Sequence, residues 1–170
     1  PLLAIPMFIL AGMIFERSGV AIRLVRFVTA IVGEWTGSLA VVAVLVSMLL
    51  GGISGSGPAD AAAVAAVMLP SMIARGYPKG FSAGLIAASG STAIVIPPSV
   101  AFIVYSVMVP AATVPALFAA GLFPGMIAAL CLLVPAIVIS RKYGFGRDYK
   151  AERPPLGKSF IDAIWGLLAP

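Results

Sequence analysis

The chain has no histidine and a single cysteine, Cys131. Zinc and copper sites need clusters of these residues and a disulfide needs a pair, so the sequence offers neither a transition-metal site nor a disulfide. Cys131 sits in an apolar segment and reads as a small hydrophobe. Charge is scarce as well: Asp, Glu, Lys and Arg make up 10% of the residues, against about 25% in soluble domains. No charged residue occurs from Trp35 to Ala59 or from Gly80 to Ser140. Apolar residues make up 61%, and mean hydropathy is +1.13. The chain therefore reads as an integral membrane protein. It lacks the alternating pattern of an outer-membrane barrel, and its apolar runs are continuous, so an all-α membrane fold is expected.

The few charges are grouped. Arg17, Arg23 and Arg26 form one basic cluster, Arg75 and Lys79 a second, and Arg141, Lys142, Arg147, Lys150, Arg153 and Lys158 a third. All three are expected on the cytoplasmic side. No nucleic-acid partner is expected, because Asp148 and Glu152 interrupt the third cluster and it adjoins a span. Pro1 opens directly into PLLAIPMFILAGMIF without a basic leader, so no signal peptide is expected. Another apolar segment begins at FIDAIWGLLAP, and the chain reads as a piece of a longer one.

Six segments follow from the pattern. Residues 1–18 read as a scaffold span. Residues 19–37 read as an amphipathic arm, with Val20, Leu24, Phe27 and Ile31 on one face and Arg23 and Arg26 on another, best placed along the membrane surface. Residues 38–78 read as a re-entrant helical hairpin. Its first leg, 39–52, is about 21 Å long at 1.5 Å per residue, too short for a core of roughly 30 Å. Both ends of the hairpin also favour one side of the membrane. Two conventional spans joined at Gly51–Gly57 are the alternative. Residues 79–112 read as one crossing broken at Pro97 and Pro98, with Gly80 and Gly84 forming a face for close helix contact. Residues 113–140 span back. Residues 141–170 form a basic cytoplasmic linker and the start of the next scaffold helix.

The chemistry concentrates in GGISGSGPAD, residues 51–60. Asp60 is the one ionisable group expected at membrane depth, where such a residue marks an ion or substrate path. Bare backbone at that depth is tolerated only when it lines a cavity or is buried in protein. The 39–52 leg points its C-terminal carbonyls at the tip, and the next helix points its N-terminus at the same place. One tip thus offers a cation site beside an anion site, as broken helices do in secondary transporters. A second hydroxyl-rich stretch, Ser89-Gly90-Ser91-Thr92, precedes Ile96-Pro97-Pro98-Ser99. Hard cations such as sodium take oxygen ligands. Ser54, Ser56, Asp60, Ser89, Ser91 and Thr92 are the candidates. Two quieter readings stand beside this one: Ser56 caps the helix that opens at Pro58, and Ser89 and Ser91 bond back to their own helix.

Catalytic readings fail on composition. Gly52-Ile53-Ser54-Gly55 contains the GxSG pattern found around the nucleophile of rhomboid intramembrane proteases, but the histidine base is missing. GISGSG has no following Lys-Ser/Thr and no preceding strand, so it is no phosphate cradle.

These residues together resemble the large membrane subunit of tripartite ATP-independent periplasmic (TRAP) transporters. The resemblance rests on PLLAIPMFILAG, IRLVRF, MLLGGISGSGPADAAAVAAVMLPSM, RGYPKGFSAGLIAASGS, IPPS and AGLFPGMIAALCL, in one collinear order. One departure stands out: Thr92-Ala93-Ile94-Val95 lacks the Gly-Pro that the family often carries before Ile-Pro-Pro, which predicts a tighter break. The resemblance implies one inverted-repeat half of an elevator-type, sodium-coupled carrier in the bacterial inner membrane. It implies a small four-helix membrane subunit, a periplasmic solute-binding protein and an organic acid such as a C4-dicarboxylate, keto acid or sialic acid. It implies sodium, with no other cofactor, at Ser54, Gly55, Ser56, Asp60, Ser89, Ser91 and Thr92, and substrate near Ser54, Ser56 and Ser99. No arginine lies at depth, so recognition in this half rests on backbone N–H groups and hydroxyls. A stand-alone sodium–carboxylate symporter and a non-transporting assembly subunit are the alternatives.

Overall fold

The computed structural model describes residues 18–109 and 111–147, together with Met7, Leu10, Ile14 and Ile164. The expected first scaffold span, the turn at Pro110 and the linker beyond Arg147 lie outside the described residues. Among the described residues six helices follow in order: α1 (Val20–Val32), α2 (Ser38–Ser54), α3 (Gly57–Ala74), α4 (Lys79–Ala93), α5 (Val100–Met108) and α6 (Val114–Tyr143). There is no strand among the described residues. Among the described residues two helices, α3 and α6, are long and apolar enough to cross a membrane.

α2 is the central element. Thirteen of its 17 residues are buried, and it packs against α1, α3, α4 and α6. It is uniformly apolar because neighbours surround it, as expected of a helix buried all round. Its 17 residues reach about 25 Å, still short of a hydrocarbon core. Gly55 ends it at φ +64, the left-handed region that favours glycine, with its N–H on the Gly51 carbonyl. Only Gly55 and Ser56 separate α2 from α3, and the two helices pack on each other as a helical hairpin. Pro58 sits in the first turn of α3, where its missing N–H costs nothing.

α4 runs back along the hairpin. Its buried face, Ile86, Ser89, Gly90 and Ala93, meets the tip, and the chain then turns through residues 94–99 before α5. The Pro97–Pro98 peptide is cis. α6 closes the bundle along a narrow seam of Gly121, Gly125, Ala136 and Ser140. A Cβ on Gly125 would lie 2.9 Å from the Ile96 side chain, and one on Gly37 would lie 3.0 Å from Ser140 Cβ. The seam therefore reaches from the hairpin base at Ser140 to the Pro97 break at Gly125. Fifteen residues, about 22 Å of helix, separate those points, and α6 continues about 16 Å beyond Gly125. The hairpin tip is thus level with the middle of the longest apolar helix.

The expectation for Gly80 and Gly84 is not met among the described residues: a Cβ on either would meet nothing within 4 Å. The close approach falls on Gly121 and Gly125, which also have GxxxG spacing. The arm turns slightly from its expected face. Val20, Ala21, Leu24 and Val28 are buried, whereas Ile31 is exposed and Phe27 half-buried. This stripe covers α2 and α3, so α1 is docked on the hairpin. Leu24 is fully buried there. Leu24→Ala is expected to lower stability by about 2–5 kcal/mol, read as a clear fall in melting temperature of the purified full-length protein. An unchanged melting temperature would mean the arm is not held by this contact.

Aromatics clamp the hairpin base. The Tyr77 ring lies 5.4 Å from Phe145 and 6.4 Å from Phe81, and Phe81 lies 5.5 Å from Phe145. Gly37 N–H donates to the Phe145 carbonyl at 3.2 Å. Burial pushes the Tyr77 phenol up, against the opposing pull of the Ala40 and Leu39 backbone and the Arg75 charge. It remains a neutral phenol at the turn between α3 and α4.

Candidate functional site

The tip joins a helix C-terminus to a helix N-terminus within two residues. Gly55 N–H takes the Gly51 carbonyl, and the carbonyls of Gly52, Ile53 and Ser54 lie past the end of the α2 ladder. Ser54 is buried, and its Oγ lies 2.6 Å from both Asp60 oxygens. With one proton to give, the hydroxyl donates to the carboxylate. Ser56 N–H in turn donates to Ser54 Oγ at 3.0 Å. A relay therefore runs from Ser56 N–H through Ser54 to Asp60. Asp60 is 4% exposed and sits in the first turn of α3, where the helix dipole favours a negative charge. Its own N–H donates to the Ser56 carbonyl at 3.0 Å. Ser56 precedes α3 but makes no side-chain cap. The backbone role is therefore Ser56's, and the side-chain role at the tip belongs to Ser54.

The break faces this tip at close range. A Cβ on Gly55 would lie 2.9 Å from Val100 N and 3.3 Å from the Pro98 carbonyl, and one on Gly52 would lie 3.7 Å from the Pro97 carbonyl. A Cβ on Gly57 would lie 2.5 Å from the Gly90 carbonyl, and one on Gly51 would overlap Ala93. Glycine is favoured at positions 51, 55 and 57, where a Cβ would come too close to its neighbours, whereas a Cβ at position 52 would make ordinary contact. The tip carries carbonyl dipoles and a buried carboxylate, and the break that faces it carries Ser99, whose buried Oγ has no hydrogen-bond partner among the described residues. That donor set is all oxygen, the kind a hard cation takes. No group of three or more His, Cys, Asp or Glu that could hold a metal occurs among the described residues.

The family model for the DctM component of tripartite ATP-independent periplasmic transporters matches residues 1–170. The chain belongs to this family. It is 39% identical over 180 residues to the C4-dicarboxylate TRAP transporter large permease protein DctM of Rhodobacter capsulatus, covering 98% of this chain and 41% of that protein. It is 39% identical to the 2,3-diketo-L-gulonate TRAP transporter large permease protein YiaN of Escherichia coli (strain K12), covering 99% of this chain and 40% of that protein. It is 35% identical to the sialic acid TRAP transporter permease protein SiaT of Haemophilus influenzae (strain 86-028NP), covering all of this chain and 27% of that protein. The chain thus spans about two fifths of the length of the first curated relatives it matches.

In this DctM-family chain the second hydroxyl cluster is divided. Ser89 is buried on the hairpin-facing side of α4, Thr92 is half-buried, and Ser91 is exposed. All three donate to carbonyls four residues back: Ser89 to Leu85 at 2.7 Å, Ser91 to Ala87 at 3.0 Å, and Thr92 to Ala88 at 2.9 Å. Each hydroxyl proton is thereby fixed on its own helix, while the oxygen lone pairs remain. The structure brings Ser89 to the hairpin face beside Gly90, and it turns Ser91 away. The close packing of Gly57 on Gly90 was not read from the sequence. Its signal was the pair of glycines inside the two knots. Two clefts, of about 380 and 520 Å³, lie at the hairpin base.

Proposed function

We propose that this chain is part of the large membrane subunit of a sodium-coupled secondary transporter for an organic acid. The carrying observation is the buried Ser54–Asp60 pair at a tip where two helix ends meet the Pro97–Pro98 break. Sodium binds at the tip among Asp60, Ser54 and the last carbonyls of α2, with Ser89, Thr92 and the Gly55 and Ser56 backbone beside it. The substrate carboxylate lies at the N-terminus of α3, near Ser54, Ser56 and Ser99. The three relatives above are named for a dicarboxylate, a sugar acid and a sialic acid, all organic acids, which supports that substrate class. The level of the tip along α6 supports a re-entrant hairpin within the membrane. The rest of the subunit, a small four-helix membrane subunit and a periplasmic solute-binding protein complete an elevator-type assembly in the bacterial inner membrane.

The test is uptake by the complete large subunit with its small partner in liposomes. An organic acid is offered with and without its binding protein and with and without an inward sodium gradient. Uptake is expected only with both. Uptake without the binding protein would assign a stand-alone symporter, and uptake indifferent to sodium would reduce the tip to helix packing.

A further inference from the structure

We propose that the hairpin base carries a specific site for an anionic phospholipid headgroup, formed by Arg141, Arg147, Trp35 and Thr36. The proposal rests on the reading of α6 as a membrane span. Its first observation is a cleft of about 380 Å³ lined by Trp35, Thr36, Arg141, Gly144 and Arg147. Arg141 Cζ lies 4.9 Å from the centre of the Trp35 ring, so its guanidinium is held by a cation–π contact. A second cleft, of about 520 Å³, adjoins it through Gly144 and Arg147 and is lined by Arg75 and Tyr143 as well. Glu34 and Asp60 are the carboxylates among the described residues, and neither lines a cleft.

The second observation is where these clefts lie. At 3.6 residues per turn, Arg141 falls on the same side of α6 as Leu130 and Val134. Both of those residues are exposed, as are Ile127 and Val138. An apolar face thus runs along α6 and ends in a guanidinium beside an indole. Lys142, 5.8 Å from the Tyr143 ring, repeats the pairing one residue on. Arginine and aromatics at the end of a span sit at headgroup level. A phosphodiester fits the arginine fork, and acyl chains fit the face that leads to it. An acidic protein segment would use the arginines but not the apolar face, so the lipid is the occupant that both features fit. Such a lipid would brace the contact between the α6 end and the hairpin base that Gly37 and Phe145 make.

The test titrates purified full-length protein in detergent with phosphatidylglycerol, phosphatidylcholine or free glycerol phosphate. It reads melting temperature and, by native mass spectrometry, bound lipid. Phosphatidylglycerol is expected to bind and raise the melting temperature, and the two controls are not. Arg141→Gln with Arg147→Gln is expected to weaken phosphatidylglycerol binding about twenty-five-fold, at about fivefold for each arginine. Both side chains are exposed, so the variant folds, and Arg23→Gln serves as a basic control that leaves binding unchanged. Equal binding of phosphatidylcholine, or an unchanged affinity in the double variant, overturns the proposal. Equal stabilisation by glycerol phosphate overturns it in favour of a soluble-anion site, and an acidic peptide that displaces bound phosphatidylglycerol at lower concentration than lipid overturns it in favour of a protein partner. None of these readouts uses transport, so the uptake assay fails or succeeds separately.

Discussion

Asp60→Asn is expected to raise the sodium concentration that half-saturates uptake by about tenfold or more, which is about 1.4 kcal/mol of cation affinity. The reasoning starts from cost. A buried carboxylate is expensive, and removing a charge partner from such a group is strongly destabilising. Ser54 and the α3 dipole offset part of this cost, since Ser54 Oγ lies 2.6 Å from the carboxylate and Asp60 stands in the first turn. A cation among the α2 carbonyls would stabilise that charge further. The same geometry gives a reason for coupling. A substrate carboxylate at the α3 N-terminus would lie near Asp60, and two like charges about 5 Å apart repel by roughly 3 kcal/mol at an effective dielectric of about 20. Sodium between them removes that repulsion, so each ligand raises the affinity of the other. Asparagine keeps the size and loses the charge, so cation affinity falls.

Ser54→Ala separates this reading from simple packing. It removes the donor to Asp60 and the acceptor for Ser56 N–H together. A loss of about 1–3 kcal/mol of stability follows on either view, because a buried polar group loses its partner. Only the sodium-site reading also predicts a raised sodium requirement in the same preparation. Sodium dependence unchanged in both variants would sink the site at the tip.

The sequence made the tip legible because glycine clusters and proline pairs break helices for reasons local to the chain. Gly55 in the left-handed region, Pro58 in the first turn of α3 and the turn around Pro97 and Pro98 are all of this kind. What depended on neighbours was harder. GxxxG spacing says that a close approach is possible, not that a partner exists, so Gly80 and Gly84 read like Gly121 and Gly125. The same applies to the arm, where the buried stripe includes Val28 and Ala21 instead of Ile31, because α2 and α3 approach α1 from one side. The serine-rich stretch of α4 shows a third limit. Composition cannot tell a hydroxyl that faces a site from one that bonds to the carbonyl four residues back, and Ser89 and Ser91 make the same bond on opposite sides of the helix.

Exchanging the side chains of Gly51 and Ala93 is expected to restore what either change alone removes. A Cβ on Gly51 would overlap Ala93 Cβ and lie 3.1 Å from the Ala93 backbone, so Gly51→Ala over-fills the contact between α2 and α4. Over-filling of this kind costs about 1–3 kcal/mol. The obstacle includes backbone, so no side-chain rotation relieves it, and the tip must shift away from the break. A shift of the tip moves Ser54 and the last carbonyls of α2, so sodium-dependent uptake is expected to fall with stability. Ala93→Gly alone leaves a gap one methyl wide and costs about 1 kcal/mol in helix propensity at most. In the double variant the methyl group is present once, on the opposite helix, and the approach distance is regained. Residues in direct contact couple in this way, and the coupling is read from melting temperatures of the four proteins in a double-mutant cycle. Strictly additive losses, or a Gly51→Ala protein with native stability and uptake, would show that α2 and α4 do not meet at this distance. Recovery of stability without recovery of sodium-dependent uptake would separate the packing of the tip from its function, and would place the ion elsewhere than between Ser54 and the Pro97–Pro98 break.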